Sequence, residues 1–426
     1  MNLLPNAEAN WSLAKKILFR FVCVYIVMYA LSHPFGAPLG EYIGEYYNLL
    51  WDSPVLWAGK QVFGVEITAR PAGSGDTTFN YVQIFSMVVL TALLCLVWSV
   101  VDRKRRNYTA LMGWLVVGVR YYLAFVMLTY GFVKVIKLQF PYPMMETLDQ
   151  TYGDSSPMKL LWTFMGYSES YTIFAGLGEV VGGFLLFFRR TTTLGALVVI
   201  GVMGNVAMMN YSYDVPVKLF STHLVVFAVF LLSLDLRRVL NVFVLNRAAS
   251  PVDLSLTLPR PWMQKARVVL KVLVIGYVVV AQIIGALEAT KLYGANRTKP
   301  ALYGMYDVET FIQNSDTLAP LLTDPVRWRK LMIDWEGFVS VKKMDNQLER
   351  LAVEIDTVEQ TLTLNTFADT TRKHVLDYRR PLPEALVLEG VLMDDSVSIH
   401  MKRFDLNQYL LVSRGFHWIN EFPFNR

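Results

Sequence analysis

The sequence predicts an all-α transmembrane bundle of about seven helices followed by a C-terminal antiparallel β domain. Three observations carry that reading. Apolar runs near twenty residues long recur before position 296 with few charges inside them. Beyond that point charges come roughly every fourth residue, as in a soluble fold. The apolar periodicity also changes there, from long runs to strict alternation.

In chain order the expected spans are 13–32, 80–101, 112–136, 169–188, 192–211, 216–235 and 267–288, each matched to a hydrocarbon core about 30 Å thick. The first has no cleavage pattern after it and is expected to stay. Lys15, Lys16 and Arg20, then Arg103 to Arg106, Arg189 and Arg190, and the basic residues between the sixth and seventh spans all fall on one side if seven spans are present. That side is cytoplasmic by the positive-inside rule, which puts the N-terminus inside and the C-terminal domain in the periplasm or outside the cell. The intervening loops, 33–78 and 137–168, are rich in Pro, Gly and aromatics. Met158 to Gly166 is too short to span and reads as a re-entrant or interfacial helix, and Trp51, Trp57 and Trp162 read as a headgroup-level belt.

After 296 the stretches Phe338–Lys342, Leu351–Ile355, Thr361–Leu364, Ala385–Glu389 and Val397–Met401 alternate, with turn signals at Asp356 to Gln360 and Met393 to Ser396. An antiparallel barrel or a curved sheet satisfies this pattern, and Gly304-Met-Tyr-Asp-Val faintly resembles the opening of lipocalin-like barrels. The domains are therefore drawn as 1–111, 112–235, 236–295 and 296–426.

Composition excludes some functions. The two cysteines, Cys23 and Cys95, sit in apolar runs without metal-ligand spacing, which argues against a disulfide framework and a zinc site. The net charge of +5 is modest and forms no groove-sized basic patch, so nucleic acid is not expected as a partner. His223 is the one histidine inside an expected span, which argues against haem.

Ionisable residues inside the membrane are costly, so each suggests a task. Glu179 lies mid-span in Gly176-Leu-Gly-Glu-Val-Val-Gly-Gly, where Gly178 and Gly182 form a close-approach surface. It reads as a structural buried carboxyl or as a proton-handling acid, and Arg120 is its expected partner in preference to Lys134, which can reach the headgroups. Lys134, Lys137, Asn205, Asn210, Lys218 and His223 crowd the outer halves of the third to sixth spans, with Asp214 placed to cap the sixth or pair with Lys218. Together they suggest one polar cavity, with Lys137, Glu179 and His223 as catalytic candidates and Arg120, Lys134, Asn205, Asn210, Asp214 and Lys218 as ligand-binding ones.

At Tyr130-Gly-Phe-Val-Lys134, Gly178-Glu179-Val-Val-Gly-Gly-Phe-Leu-Leu-Phe-Phe-Arg-Arg-Thr-Thr-Thr-Leu-Gly195, Met203-Gly-Asn-Val and Asn210-Tyr-Ser-Tyr-Asp-Val-Pro-Val-Lys-Leu, the chain resembles the DoxX-like membrane family over about 112–235. That resemblance implies a four-helix unit in a bacterial inner membrane, linked to quinone or thiol redox chemistry. The cysteines of thiol-active relatives have no counterpart here, which argues against thiol redox catalysis, and the family resemblance does not fix an activity. A fainter similarity, at Lys137-Leu138, runs to the membrane part of vitamin K-dependent carboxylases, in which a lysine at this helix end deprotonates a hydroquinone. The stretch from Leu411 to Arg426 looks like the ending of longer bacterial relatives with this domain arrangement. The expected function is binding of a quinone or lipid-like molecule in the bundle, with a redox step. The alternatives are a non-enzymatic membrane anchor or assembly factor whose β domain binds a periplasmic protein or a lipid, and a hydroquinone-dependent carboxylase or epoxidase.

Overall fold

A computed structural model describes residues 10–34, 40–67, 75–250, 260–294, 297–369 and 372–425. The chain divides into two compact units, Met1–Phe140 with Ser156–Thr290, and Pro141–Ser155 with Lys291–Arg426.

The helices are α1 (Leu13–Ser32), α2 (Gly40–Leu49), α3 (Asp52–Val62), α4 (Thr78–Val101), α5 (Thr109–Val135), α6 (Met145–Leu148, in the second unit), α7 (Pro157–Tyr167), α8 (Glu169–Phe187), α9 (Thr192–Ser212), α10 (Lys218–Ser233), α11 (Leu236–Phe243) and α12 (Pro261–Tyr293). A helix stands at each of the expected spans. Five of them, α4, α5, α8, α9 and α12, are long and apolar enough to cross a membrane among the described residues, and six if α10 and α11, bent by 79°, form one broken span. The shortfall from seven lies at α1, whose first eight residues hold Lys15, Lys16 and Arg20. Arg20 is nonetheless buried, because Tyr108 and Ser99 accept bonds from its guanidinium at 2.8 Å.

Two expectations for the loops are corrected. The 33–78 segment contains α2 and α3, and Trp51 packs inside the core at 5% exposure, so only Trp57 of the three tryptophans is exposed as a belt residue would be. Trp162 meets Phe140 edge-on in a small apolar cluster.

Within the first unit α5 is the hub, with Leu123, Ala124, Val126, Met127 and Leu128 fully buried. It lies against α8 through glycines. A Cβ on Gly176 would lie 2.8 Å from the carbonyl oxygen of Gly131 and 2.8 Å from the Lys134 Cβ, and one on Gly183 would lie 3.1 Å from the carbonyl of Ala124. The expected pair Gly178 and Gly182 serves the other face of α8, against Val202 and Val199 of α9.

The second unit is a closed barrel. Its strands are β1 (Gly304–Gln313), β2 (Asp316–Thr317), β3 (Trp328–Trp335), β4 (Phe338–Lys343), β5 (Leu348–Asp356), β6 (Thr361–Thr366), β7 (His374–Arg379), β8 (Ala385–Leu392) and β9 (Asp395–Arg403). Each pairs antiparallel with its neighbour in the order β2-β1-β3-β4-β5-β6-β7-β8-β9, and a β1–β9 ladder closes the eight longer strands into a barrel. Closure leaves no long edge to pair with another chain. Alternate residues point inward, and Ile333, Val339, Val341, Leu362, Leu376, Leu386, Leu388 and Ile399 are fully excluded from solvent, so side chains fill the interior. The two turn signals act as read: Met393 and Asp394 both take positive φ in the tight β8–β9 hairpin. The Asp356 carboxylate accepts from the backbone N–H groups of Glu359 and Val358, which hold it below the usual carboxylate range.

The short segment Pro141–Ser155 belongs to this unit by its contacts. Asp149 accepts from Lys330 Nζ and Lys342 Nζ at 2.7 Å each and from the Tyr409 hydroxyl at 2.6 Å. Glu146 pairs with Arg350 and accepts from the Ser340 hydroxyl at 3.1 Å, and Met145 packs against Met305 and Met332.

Candidate functional site

The centre of the first unit is an ion pair. Lys134 Nζ donates to both carboxylate oxygens of Glu179 at 2.8 and 2.9 Å, with side chains 7% and 2% exposed. The Arg120 partnership expected for Glu179 is not formed. Arg120 Nε donates instead to the carbonyl oxygen of Leu186 at 2.9 Å. Helix register explains the correction. Antiparallel packing sets Arg120 level with the C-terminal turn of α8, and Glu179 is seven residues further back, about 10 Å along the axis. The lysine end of α5 crosses α8 at the Gly131–Gly176 contact, where the missing side chains let the ammonium stay inside instead of reaching for the headgroups. A side chain at Gly176 is therefore expected to force the helices apart and break the pair. Gly176→Val should lower thermal stability in detergent by about 1–3 kcal/mol, while Gly204→Ala, with nothing within 4 Å of its added Cβ, should change it little.

The pair borders a cavity of about 900 Å³ lined mainly by apolar groups of α5, α7, α8, α9 and α10. Among the sequence candidates, Lys134, Glu179, Asn205 and Asn210 line it together. Asn210 Nδ2 donates to the Ser221 hydroxyl at 3.0 Å, whereas Asn205 makes no hydrogen bond among the described residues. Sequence reading missed Tyr130, Gln139, Phe140 and the α7 wall of Met158, Leu161, Trp162 and Met165. The side-chain oxygen of Gln139 is buried there without a partner among the described residues. The α7 stretch carried a readable signal, its short apolar run, but nothing in the sequence says which helix it leans on.

The mouth lies along α8 and α9. Phe174, Leu177 and Val181 from α8 and Gly201 and Asn205 from α9 line the cavity and are also exposed. The two helices touch where Gly182 meets Val199 and Gly178 meets Val202, towards the C-terminal half of α8.

Five candidates lie elsewhere. Lys137, expected as a base, takes a left-handed conformation (φ 61°) just past α5 and donates through Nζ to the carbonyl of Gly166 at 2.7 Å, which ties down the end of α7. Burial lowers its ammonium pKa, and the charge of Glu169 opposes this. His223 sits between α10 and α1, its Nδ1 donating to the carbonyl of Leu219 at 2.6 Å. Its Nε2 therefore accepts from the Tyr25 hydroxyl at 2.7 Å, and Tyr29 stacks on the ring at 3.8 Å. Lys218 pairs with Asp214 at 2.8 Å, as one of the two readings of Asp214 anticipated. The cap of α10 comes from a distant residue, Asp76, which accepts from the backbone N–H groups of Lys218 and Leu219 at 2.6 and 2.9 Å. Arg120, the fifth, is held at Leu186 and does not line the cavity. No cluster of three or more potential metal ligands occurs among the described residues.

Comparison with known proteins adds a relation without an activity. The chain is 36% identical over 124 residues to a Bacillus subtilis protein named "Uncharacterized protein YwoB", a match covering 79% of that protein and 29% of this chain. The chain belongs to the YwoB family. Membership concerns less than a third of this sequence, so the remaining residues lie outside the match. No family model matches the chain, and no solved structure matches it.

Proposed function

We propose that the helical unit is DoxX-like and binds a quinone or a comparable lipid-like molecule, admitted sideways from the bilayer, in support of a redox step. The observation that carries this reading is the buried Lys134–Glu179 pair at the wall of a large apolar cavity. Small-molecule sites combine such a lining with a few fixed polar groups. Lys134 retains a third N–H beyond the two given to Glu179, the Gln139 oxygen is an unused acceptor, and the Asn205 amide is free among the described residues. A ring oxygen and a ring hydroxyl would satisfy these groups, while a hydrocarbon tail leaves along the exposed side chains of α8 and α9. The two marks of the DoxX-like resemblance, the Gly-x-x-Lys helix end and the intramembrane Glu, meet here. The DoxX-like resemblance implies a bacterial inner membrane, in which the distribution of Lys and Arg favours a cytoplasmic N-terminus and an outside position for the residues after α12.

The test uses the full chain in lipid nanodiscs. Organic extraction should yield a quinone enriched over the surrounding lipid, and a short-tailed quinone analogue should bind saturably. Gly201→Trp fills the mouth, since no atom lies within 4 Å of a Cβ at that position, and should weaken binding about tenfold or more, a loss of about 1.4 kcal/mol, with thermal stability unchanged. If no quinone is extracted and no analogue binds, the non-enzymatic anchor reading replaces this one.

A further inference from the structure

The chain turns sharply where α10 meets α11, and named bonds hold the turn. The two helix axes differ by 79°. Asp235, buried at the junction, accepts from the Thr193 hydroxyl of α9 at 2.6 Å and from Arg238 Nη1 at 3.3 Å. Its carbonyl oxygen accepts from the backbone N–H groups of Arg238 and Val239 at 3.0 and 3.1 Å. The first turn of α11 is thereby tied to the first turn of α9. Residues 216–235 already supply the roughly twenty that a span needs, so α11 is not required to complete one.

The composition of α11 leaves one place for it. Leu236, Leu240 and Phe243 recur at i, i+4 and i+7 and so share a face, and all three are exposed, Phe243 at 70%. Arg237, Arg238 and Asn241 lie on the opposite face, and Arg247 follows the left-handed turn at Asn246 (φ 48°). Hydrocarbon would exclude the arginines, and water on all sides would leave the apolar face bare. A helix about 12 Å long with these two faces is satisfied along the headgroup layer. Charge selects the lipid. Residues 236–247 contain three arginines and no acid. Arg238 is spent on Asp235, whereas Arg237 and Arg247 are exposed and make no side-chain bond among the described residues. We infer that α11 lies flat in the headgroup layer on the side that the loop charges make cytoplasmic, with Leu236, Leu240 and Phe243 among the acyl chains and Arg237 and Arg247 on the phosphates of anionic phospholipids. None of these residues lines the cavity that Lys134 and Glu179 border, so this surface is distinct from the ligand site.

The test uses the full chain in lipid nanodiscs, with a bimane dye on single introduced cysteines. Cys23 and Cys95 are buried, and the unsubstituted chain gives the background. Lipids with brominated acyl chains should quench the dye at Leu240→Cys and Phe243→Cys, and aqueous iodide should quench it at Asn241→Cys. At equal content, brominated phosphatidylglycerol should quench at Leu240→Cys more than brominated phosphatidylcholine. Arg237→Gln with Arg247→Gln should reduce that local preference about fivefold per residue. Both arginines are exposed, so this variant should fold, which its thermal midpoint checks. The control Arg103→Gln with Lys104→Gln, at exposed positions just past α4, should keep the preference. Iodide quenching at all three positions would make α11 an aqueous loop, and lipid quenching at all three would make it part of a span. Equal quenching by the two lipids, or an undiminished preference in the Arg237 and Arg247 variant, would remove the anionic partner. Each of these results would overturn the assignment.

Discussion

Lys134→Ala should destabilise the helical unit by about 3–5 kcal/mol, read as a lowered unfolding midpoint in detergent, because it strands the Glu179 carboxylate at 2% exposure. Glu179→Ala should do comparable harm by stranding the ammonium. The double replacement Lys134→Met with Glu179→Leu, which keeps volume and removes both charges, should recover most of the loss, since a buried pair contributes little beyond a packed apolar isostere. Ligand binding should not recover with it, if the pair orients the head of a bound molecule. A neutral Lys134→Ala would mean that the two side chains do not meet in the membrane.

The second large effect is expected in the barrel unit. Asp149→Ala removes the shared acceptor of Lys330, Lys342 and Tyr409, and should lower the stability of that unit by about 3 kcal/mol. It should also expose the Pro141–Ser155 segment to protease. Burial alone would raise the pKa of Asp149, but the hydrogen bonds from Lys330, Lys342 and Tyr409 outweigh it and hold the carboxyl below its usual value. A carboxyl with a depressed folded pKa contributes stability that is fully present above the unfolded value, about 3.9, and is lost as pH falls through the folded one. Protection of the segment should therefore be constant at neutral pH and fail below about pH 4, and Asp149→Asn should remove that acid transition. Persistence of the transition in Asp149→Asn would assign it to another group.

The elements that were legible owe it to local signals. The spans are long apolar runs, and hairpins such as Leu392–Asp395 announce themselves by turn residues that accept positive φ. Strands β3 and β7 escaped because neither shows a clean alternation: β3 buries Lys330 and Asp334 on the face opposite Leu331 and Ile333, and β7 leaves the apolar Val375 on its exposed face. Four of the nine candidate residues line the cavity. Lys134, Glu179 and Asn210 are buried and Asn205 stands at the exposed mouth, all on helices whose polar positions are few, and the sequence marks such positions as costly.

Partnership is what the sequence left open. Composition and periodicity by themselves determined an apolar helical part, a β part after it, and Glu179 and Arg120 as charges that needed company. Only the tertiary structure decided that Glu179 keeps company with Lys134, that Arg120 rests on Leu186, that Lys137 holds Gly166, that Asp76 caps α10 and that Asp149 clasps the barrel. Cost of burial is a property of one residue and its neighbours in the chain, so it can be read along the sequence. Which distant group relieves that cost depends on helix register and on close approaches such as Gly131 to Gly176, where a shift of one turn, about 5.4 Å, exchanges one partner for another.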